Sequence, residues 1–240
     1  MKGSRMETPR EMHVVRVLAV RRENPSTVSL VLPKTFEAAP GRFVMVWDVG
    51  GAEKPFGVSR QTATETCVTI RAVGPTSESL TRLQPGDAVG IRGPFGTGFA
   101  LAENALLVAG GVGAAPLRFL AETLRQKNMA HKWLVGAKTA DELCFAADAD
   151  GIATDDGSRG EAGSVVALAA KELARGHYAI LQACGPKGML RAVKALAEQA
   201  GIPAELSVER IMRCGVGLCG SCALDDGRCA CREGPVLRFG

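Results

Sequence analysis

The sequence has no long hydrophobic run. No apolar stretch reaches the roughly 18 residues that crossing a bilayer demands. The start, MKGSRMETPREMH, is polar and lacks the apolar segment of a secretory signal. These absences predict a cytoplasmic protein, with no membrane contact and with about ten frayed residues at its N-terminus. Aromatic residues are scarce, at 5%. No Lys/Arg run carries interleaved aromatics, and the formal charge of +4 is diluted over the chain. An ordinary mixed surface and no nucleic-acid partner follow. The three histidines, His13, His131 and His177, stand far apart. No Ser/His/Asp set and no pair of carboxylates stands out, so no group of the acid–base or nucleophilic kind is expected. Internal repeats and low-complexity tracts are absent too.

What is present is a globular composition. The 240 residues are 46% hydrophobic and 22% charged, a length that suits two domains or one large one. From residue 13 to 99, short β-branched runs (HVVRVLAV, STVSLVL, RFVMVWDV, TCVTIRAV, DAVGIRG) are punctuated by Gly, Pro, Asn or Asp. Five or six strands at this spacing predict a barrel or sandwich, with a short helix over Ser77–Leu83. Near residue 104 the pattern changes. The strands ALLVAG, KWLVGA and YAILQACG alternate with the amphipathic stretches LRFLAETLRQKN, SVVALAAKELARG and KGMLRAVKALAEQAG. That alternation predicts a parallel α/β sheet. The boundaries expected are 12–101 for an antiparallel β-barrel, 102–206 for a nucleotide-binding α/β domain and 207–240 for a small glycine- and cysteine-rich segment.

Eight cysteines in a cytoplasmic chain do not suggest a disulfide framework. Cys67, Cys144 and Cys184 lie scattered in apolar, strand-like contexts, as small core side chains do. Cys214, Cys219, Cys222, Cys229 and Cys231 fall within 18 residues. The first three are spaced C-x4-C-x2-C, the arrangement of plant-type [2Fe–2S] loops, which take a fourth, more distant Cys. Their glycines allow the backbone to curl round a cluster and turn N–H groups toward sulfur. Zinc is the rival. It usually takes two short C-x2-C-like clips, which this spacing fits poorly. Spacing leaves both Cys229 and Cys231 open as the fourth ligand.

Three motifs lie at predicted strand ends. VAGGVGAAP, with Gly110, Gly111, Gly113 and Pro116, joins a strand to a helix and suits a pyrophosphate, or is a purely structural turn. In TDDGSRGEAG, Asp155 or Asp156 could accept from ribose hydroxyls and repel a 2′-phosphate, or the turn is merely solvated. ACGP places Cys184, Gly185 and Pro186 where open α/β sheets bind ligands, although a core thiol is the plainer alternative. In the barrel, EKPFGVS and VGPTSESL are candidate flavin contacts, and GPFGTGF is a turn that closes the barrel.

In that order these motifs resemble the ferredoxin-reductase-like flavoproteins. The ending ELSVERIMRCGVGLCGSC…CREGPVL narrows the likeness to the electron-transfer subunits of type B dihydroorotate dehydrogenases, over about residues 12–238. The resemblance implies FAD, a [2Fe–2S] cluster and NAD(H) as cofactors. It implies a relay from NADH to a partner dihydroorotate dehydrogenase catalytic subunit in pyrimidine biosynthesis, in a heterotetramer. The chain alone would not oxidise dihydroorotate. The implied metal ligands are Cys214, Cys219, Cys222 and Cys231, with Cys229 a spare thiol. The implied flavin contacts are Lys54, Pro55, Phe56, Gly57, Val58 and Ser59, with Gly74 and Thr76 near the diphosphate. The glycine turn and Cys184–Pro186 fall on the nicotinamide side. Where the family has R-P-[FY]-[ST], this chain has Lys54-Pro55-Phe56-Gly57, so Lys54 loses the bidentate fork and Gly57 a hydroxyl. Similar relays, a hydrogenase gamma subunit or a ferredoxin-NADP reductase subunit, resemble the same motif order. A zinc-stabilised binding module without enzymatic activity is the alternative of another class.

Overall fold

The computed structural model describes residues 11–240, so the expected frayed N-terminus lies outside the described residues. Seven strands make the first sheet: β1 (His13–Arg16), β2 (Ala19–Asn24), β3 (Thr27–Pro33), β4 (Phe43–Asp48), β5 (Glu53–Gln61), β6 (Glu65–Arg71) and β7 (Ala88–Phe95). Their order is β1-β7-β4-β5-β6-β3-β2, with every neighbouring pair antiparallel. The two edge strands are consecutive in sequence. Val17 N–H donates to Asp87 O at one edge and Leu18 N–H to Val31 O at the other. This link closes the sheet into a barrel, which removes its open edges. Alternate residues fill the interior: Val28, Leu30 and Leu32 from β3, Val44 and Val46 from β4, Val68 and Ile70 from β6.

Helix α1 spans Pro75–Leu80, earlier than the Ser77–Leu83 expected. Pro75 starts it, its fixed φ suiting a first helical position. The Ser77 hydroxyl accepts from the amides of Val73 and Gly74. The turn at Pro85 then stops the chain from continuing as helix.

The second sheet contains β8 (Ala105–Gly110), β9 (His131–Ala137), β10 (Gly151–Thr154), β11 (Glu161–Ala162), β12 (Ile180–Cys184), β13 (Ala204–Ser207) and β14 (Val236–Phe239). Its order is β11-β10-β9-β8-β12-β13-β14. All neighbours are parallel except β13 and β14. Helix α2 (Ala114–Gln126) covers one face, packing with Leu107, Ala109, Trp133 and Val135. Helices α3 (Val165–Arg175) and α4 (Lys187–Ala200) cover the other, with Leu106, Val108, Leu134 and Leu181. The strands are buried on both faces, which is why they read as continuous apolar runs. Strand β14 was not anticipated. The last residues of the cysteine-rich segment return to the α/β sheet and cover its β13 edge.

The order of strands reverses between β8 and β12, the point at which such sheets bind ligands. A buried network fixes this region to the barrel. Glu205 on β13 accepts from the Ala100 amide (2.9 Å) and from Gln182 Nε2 (2.8 Å), which also donates to Ala100 O (2.8 Å). Among the described residues no helix is long and apolar enough to cross a membrane.

Candidate functional site

A cleft of about 1030 Å³ opens at the reversal point and runs between the two sheets. Its barrel wall carries Phe43, Pro55, Phe56, Gly57, Thr69 and Arg71. The α/β wall carries Gly110, Gly111, Gly113, Pro116, Lys138, Asp155, Cys184, Gly185 and Pro186. The third side is the segment Ser207–Arg210 with Met212, leading into the thiol loop, and Pro235 beyond it.

Eleven of the seventeen non-cysteine-loop residues singled out from sequence therefore line one cleft: Pro55, Phe56, Gly57, Gly110, Gly111, Gly113, Pro116, Asp155, Cys184, Gly185 and Pro186. Lys54, Val58, Ser59, Gly74, Thr76 and Asp156 do not. Lys54 is exposed on β5, while Val58 is buried in the barrel core. The buried Ser59 hydroxyl donates to Cys67 O (3.2 Å) and so already has a partner. Gly74 and Thr76 sit at the start of α1, next to Val73 on the cleft wall. Asp156 is engaged in its own turn. It accepts from the Ser158 hydroxyl (2.6 Å) and amide (3.0 Å), and the hydroxyl bond chiefly holds its carboxyl below the usual range.

The glycine turn has two physical jobs. A Cβ on Gly113 would sit 2.3 Å from Cys184 O, so a side chain there is excluded by the β12–α4 turn. Gly111, in contrast, has φ +55° and nothing within 4 Å of a would-be Cβ. Its backbone lies open to the cleft. Neither α2 nor α4 has a side-chain cap at its N-terminus, whereas Ser164 caps α3 by accepting from the Ala167 amide (3.2 Å). At α2 the Ala114 amide already donates to Gly111 O and Pro116 has no N–H, so the helix start left open to an anion is that of α4. Gly57 meets only the Pro116 ring, at 3.4 Å, so packing would admit a small side chain there.

Sequence reasoning missed Arg71, Thr69, Lys138, Phe43 and Met212. Arg71 ends a run of β residues and lies two positions before Val73, which also lines the cleft; the others have no local signal. Arg71 pairs with Glu142 (3.8 Å). Asn24 Nδ2 donates to Glu142 O (3.2 Å) and lies 3.1 Å from Cys144 Sγ. These contacts tie the barrel to the loop after β9.

The scattered cysteines are buried, as expected: Cys67, Cys144 and Cys184. Burial pushes the Cys184 thiol up to about 12 and the Cys144 thiol to about 11. Four of the five clustered ones fall into two neighbouring pairs. Cys214 and Cys219 are near enough to shift each other's ionisation. Cys222 and Cys231 lie 3.2 Å apart and are both buried. Backbone amides point at sulfur: Val216 and Leu218 at Cys214 (3.4 Å each) and Gly217 at Cys231 (3.1 Å). Burial pushes the Cys214 thiol up, but the amides of Val216, Cys219 and Leu218 more than reverse it. Hydrogen bonds from Ser221, first its hydroxyl and then its amide, lower Cys219 to about 6. Burial and Cys222 together raise Cys231 to about 12, so this thiol ionises readily only for a metal. Cys229 is half-buried; burial raises it, and Cys222 adds to the rise.

Among the described residues, no three His, Cys, Asp or Glu side chains gather as a single ion requires. A two-iron core needs two sulfurs on each iron, and two pairs are the arrangement present. The N–H···S contacts suit thiolate sulfur, so the loop fits such a cluster.

Residues 209–240 match the model of the iron-sulfur cluster binding domain of dihydroorotate dehydrogenase B. A relative from Methanothermobacter thermautotrophicus, described as a probable dihydroorotate dehydrogenase B (NAD(+)) electron transfer subunit, is 40% identical over 94% of this chain and 90% of its own. An Archaeoglobus fulgidus protein of the same description is 38% identical over 94% and 97%. The chain belongs to the family of dihydroorotate dehydrogenase B electron transfer subunits. Among solved structures, the NADH-dependent reduced ferredoxin-NADP oxidoreductase, studied for flavin-based electron bifurcation, superposes on this electron transfer subunit with a TM-score of 0.83. The two are 26% identical, over 99% of this chain and 90% of the other. A Neisseria gonorrhoeae ferredoxin NADP+ reductase solved with FAD and NADP shares the fold (TM-score 0.65, 17% identity, 79% and 92% covered). The family's chemistry is oxidoreduction with flavin, iron–sulfur and nicotinamide cofactors.

Proposed function

We propose that this electron transfer subunit takes electrons from NADH and delivers them singly to a dihydroorotate dehydrogenase catalytic subunit in pyrimidine biosynthesis. When bound, the flavin accepts a hydride and the [2Fe–2S] cluster passes single electrons; the chain supplies position and electrostatics. Pro55 and Phe56 offer the flavin an apolar wall, beside Thr69 whose hydroxyl is bonded to that of Ser29 (2.8 Å), and Arg71 a cation for its diphosphate. The open backbone of Gly111 lies where the dinucleotide pyrophosphate would pass. Asp155 faces the cleft where a ribose would lie. Cys184, kept as a neutral thiol by burial, packs beside the nicotinamide without offering it a nucleophile. Cys214, Cys219, Cys222 and Cys231 would hold the cluster.

One observation carries this function. Phe43 and Met212 line the cleft and belong to the same apolar cluster as Cys222 and Cys231. A flavin in the cleft and iron in the loop would share a dry, packed wall.

The exposed side supports a partner. Leu218, next in sequence to the exposed Cys219, is 81% exposed, and Ile211, three residues before Cys214, is 72% exposed. Large apolar side chains beside a redox centre suit an interface, and a heterotetramer with the catalytic subunit would cover them. The likeness to the ferredoxin-NADP oxidoreductase favours a second partner class, a related relay. The protein recovered in a pull-down decides between them. The cofactor assignment is tested by spectra of anaerobically purified protein, with FAD, iron and sulfide quantified. A flavin spectrum overlaid by iron–sulfur absorbance is expected. Colourless protein after reconstitution would overturn it.

A further inference from the structure

On the outer face of the barrel, Arg92 of β7 reaches across β4 to Glu53 of β5. Arg92 Nε lies 2.5 Å from Glu53 Oε1, and Nη2 2.8 Å from Oε2. The same Nη2 donates to the backbone carbonyl of Cys214 at 2.9 Å. The two side chains are only 13% and 21% exposed. The guanidinium also sits 5.2 Å from the Phe95 ring centre, and Phe95 packs in the apolar cluster with Cys222 and Cys231. A cation that cannot lose its proton is thus embedded beside the sulfurs, where screening by water is weak.

We propose that Arg92, braced by Glu53, is a positioning residue for the iron–sulfur site that also sets its reduction potential. The inference rests on the ligand assignment above. Holding the Cys214 carbonyl fixes the peptide plane between Cys214 and Gly215. Gly215 then turns through φ +73° against Met45 and Phe95. That turn brings the amides of Val216 and Leu218 to Cys214 Sγ. Both the aimed amides and the Arg92 charge favour the extra electron of the reduced site, and the Glu53 charge opposes it. Glu53 stands two residues before Pro55, so one strand braces the cluster loop and walls the cleft.

The two charges predict shifts of opposite sign. The full chain, purified anaerobically with FAD and iron, is titrated by potential with the cluster followed by electron paramagnetic resonance. Arg92→Gln is expected to shift the cluster potential to more negative values, and Glu53→Gln to more positive ones. Arg92→Lys keeps the charge without the fork and should recover most of the Arg92→Gln shift. The flavin potential, read in the same titration, should stay unchanged, because neither residue lines the cleft. A pair that merely braced the loop would move both glutamine variants the same way. Shifts of one sign, or none at equal iron loading, overturn the proposal. If Arg92→Gln purifies without iron, Glu53→Gln still decides it: a positive shift supports the proposal, and no shift or a negative one overturns it. Wild-type protein lacking iron would instead bring down the ligand assignment, and this inference with it.

Discussion

Asp155 and Asp156 stand side by side after β10, and only Asp155 lines the cleft. The pattern TDDGS left both open because a turn motif does not say where each side chain points. The structure commits Asp156 to Ser158, whose hydroxyl is also bonded by the Ala140 amide (2.8 Å). Asp155→Asn is expected to raise KM for NADH by about tenfold, the loss of one charge-assisted hydrogen bond, and to narrow the gap to NADPH. Asp156→Asn should leave that ratio unmoved. Steady-state kinetics with both nucleotides and an artificial acceptor checks this. Cys184 yields a second prediction. With its thiol at about 12, roughly one molecule in ten thousand carries the thiolate at pH 8. Iodoacetamide should leave Cys184 unmodified in folded protein and alkylate it after denaturation, as peptide mass spectrometry would record. The thiol loop, the glycine turn and ACGP were legible because each is local in sequence. Arg92, Glu53, Arg71 and Met212 were not. Each acquires its neighbours only through strand order or from a segment far along the chain.

At the scale of elements, the alternation of apolar strands and amphipathic helices was plain, because burial on both faces imposes it. The first helix began two residues early, at a proline whose fixed φ outweighed the polar pattern after it. Contacts between elements were hidden. Lys132 on β9 bonds Glu172 on α3 at 2.6 Å, and Glu172 is buried. The hydrogen bond from Lys132 lowers Glu172 below 4.5, and the reciprocal bond raises Lys132 above 10.5. A lowered carboxyl stabilises the fold above its unfolded value and ceases to do so as pH falls through the folded one. A raised ammonium does so below its unfolded value and ceases as pH rises through the folded one. The pair therefore acts fully between about pH 4.5 and 10.5. Lys132→Met should cost about 1 kcal/mol in urea unfolding at pH 7, with Arg175 still 3.3 Å from Glu172. The cost should shrink as pH drops below 4.5.

In the whole molecule the cysteine-rich segment is not an appendage. It leaves the α/β sheet at Ser207, packs on the barrel through Met45 and Phe95, and returns as β14. Thr97, just past the last barrel strand, holds the start of that return, with its amide on Gly234 O (2.5 Å) and its hydroxyl on Val236 O (2.9 Å). Deleting residues 236–240 removes the buried Val236 and Leu237. Their burial contributes roughly 3–6 kcal/mol. Iron content and melting temperature are expected to fall together. A truncated chain that keeps its iron would show the loop to be self-sufficient. The sequence hid this link because four residues of strand carry no label of the sheet they join.

That return works as a latch. The cysteine-rich excursion is pinned at both feet to one sheet, through β13 where it departs and β14 where it comes home. An antiparallel partner can lie along β13 only while the loop between them keeps its span, so whatever tightens the thiol loop also seals the margin of the α/β sheet, and a disturbance at either place is felt at the other.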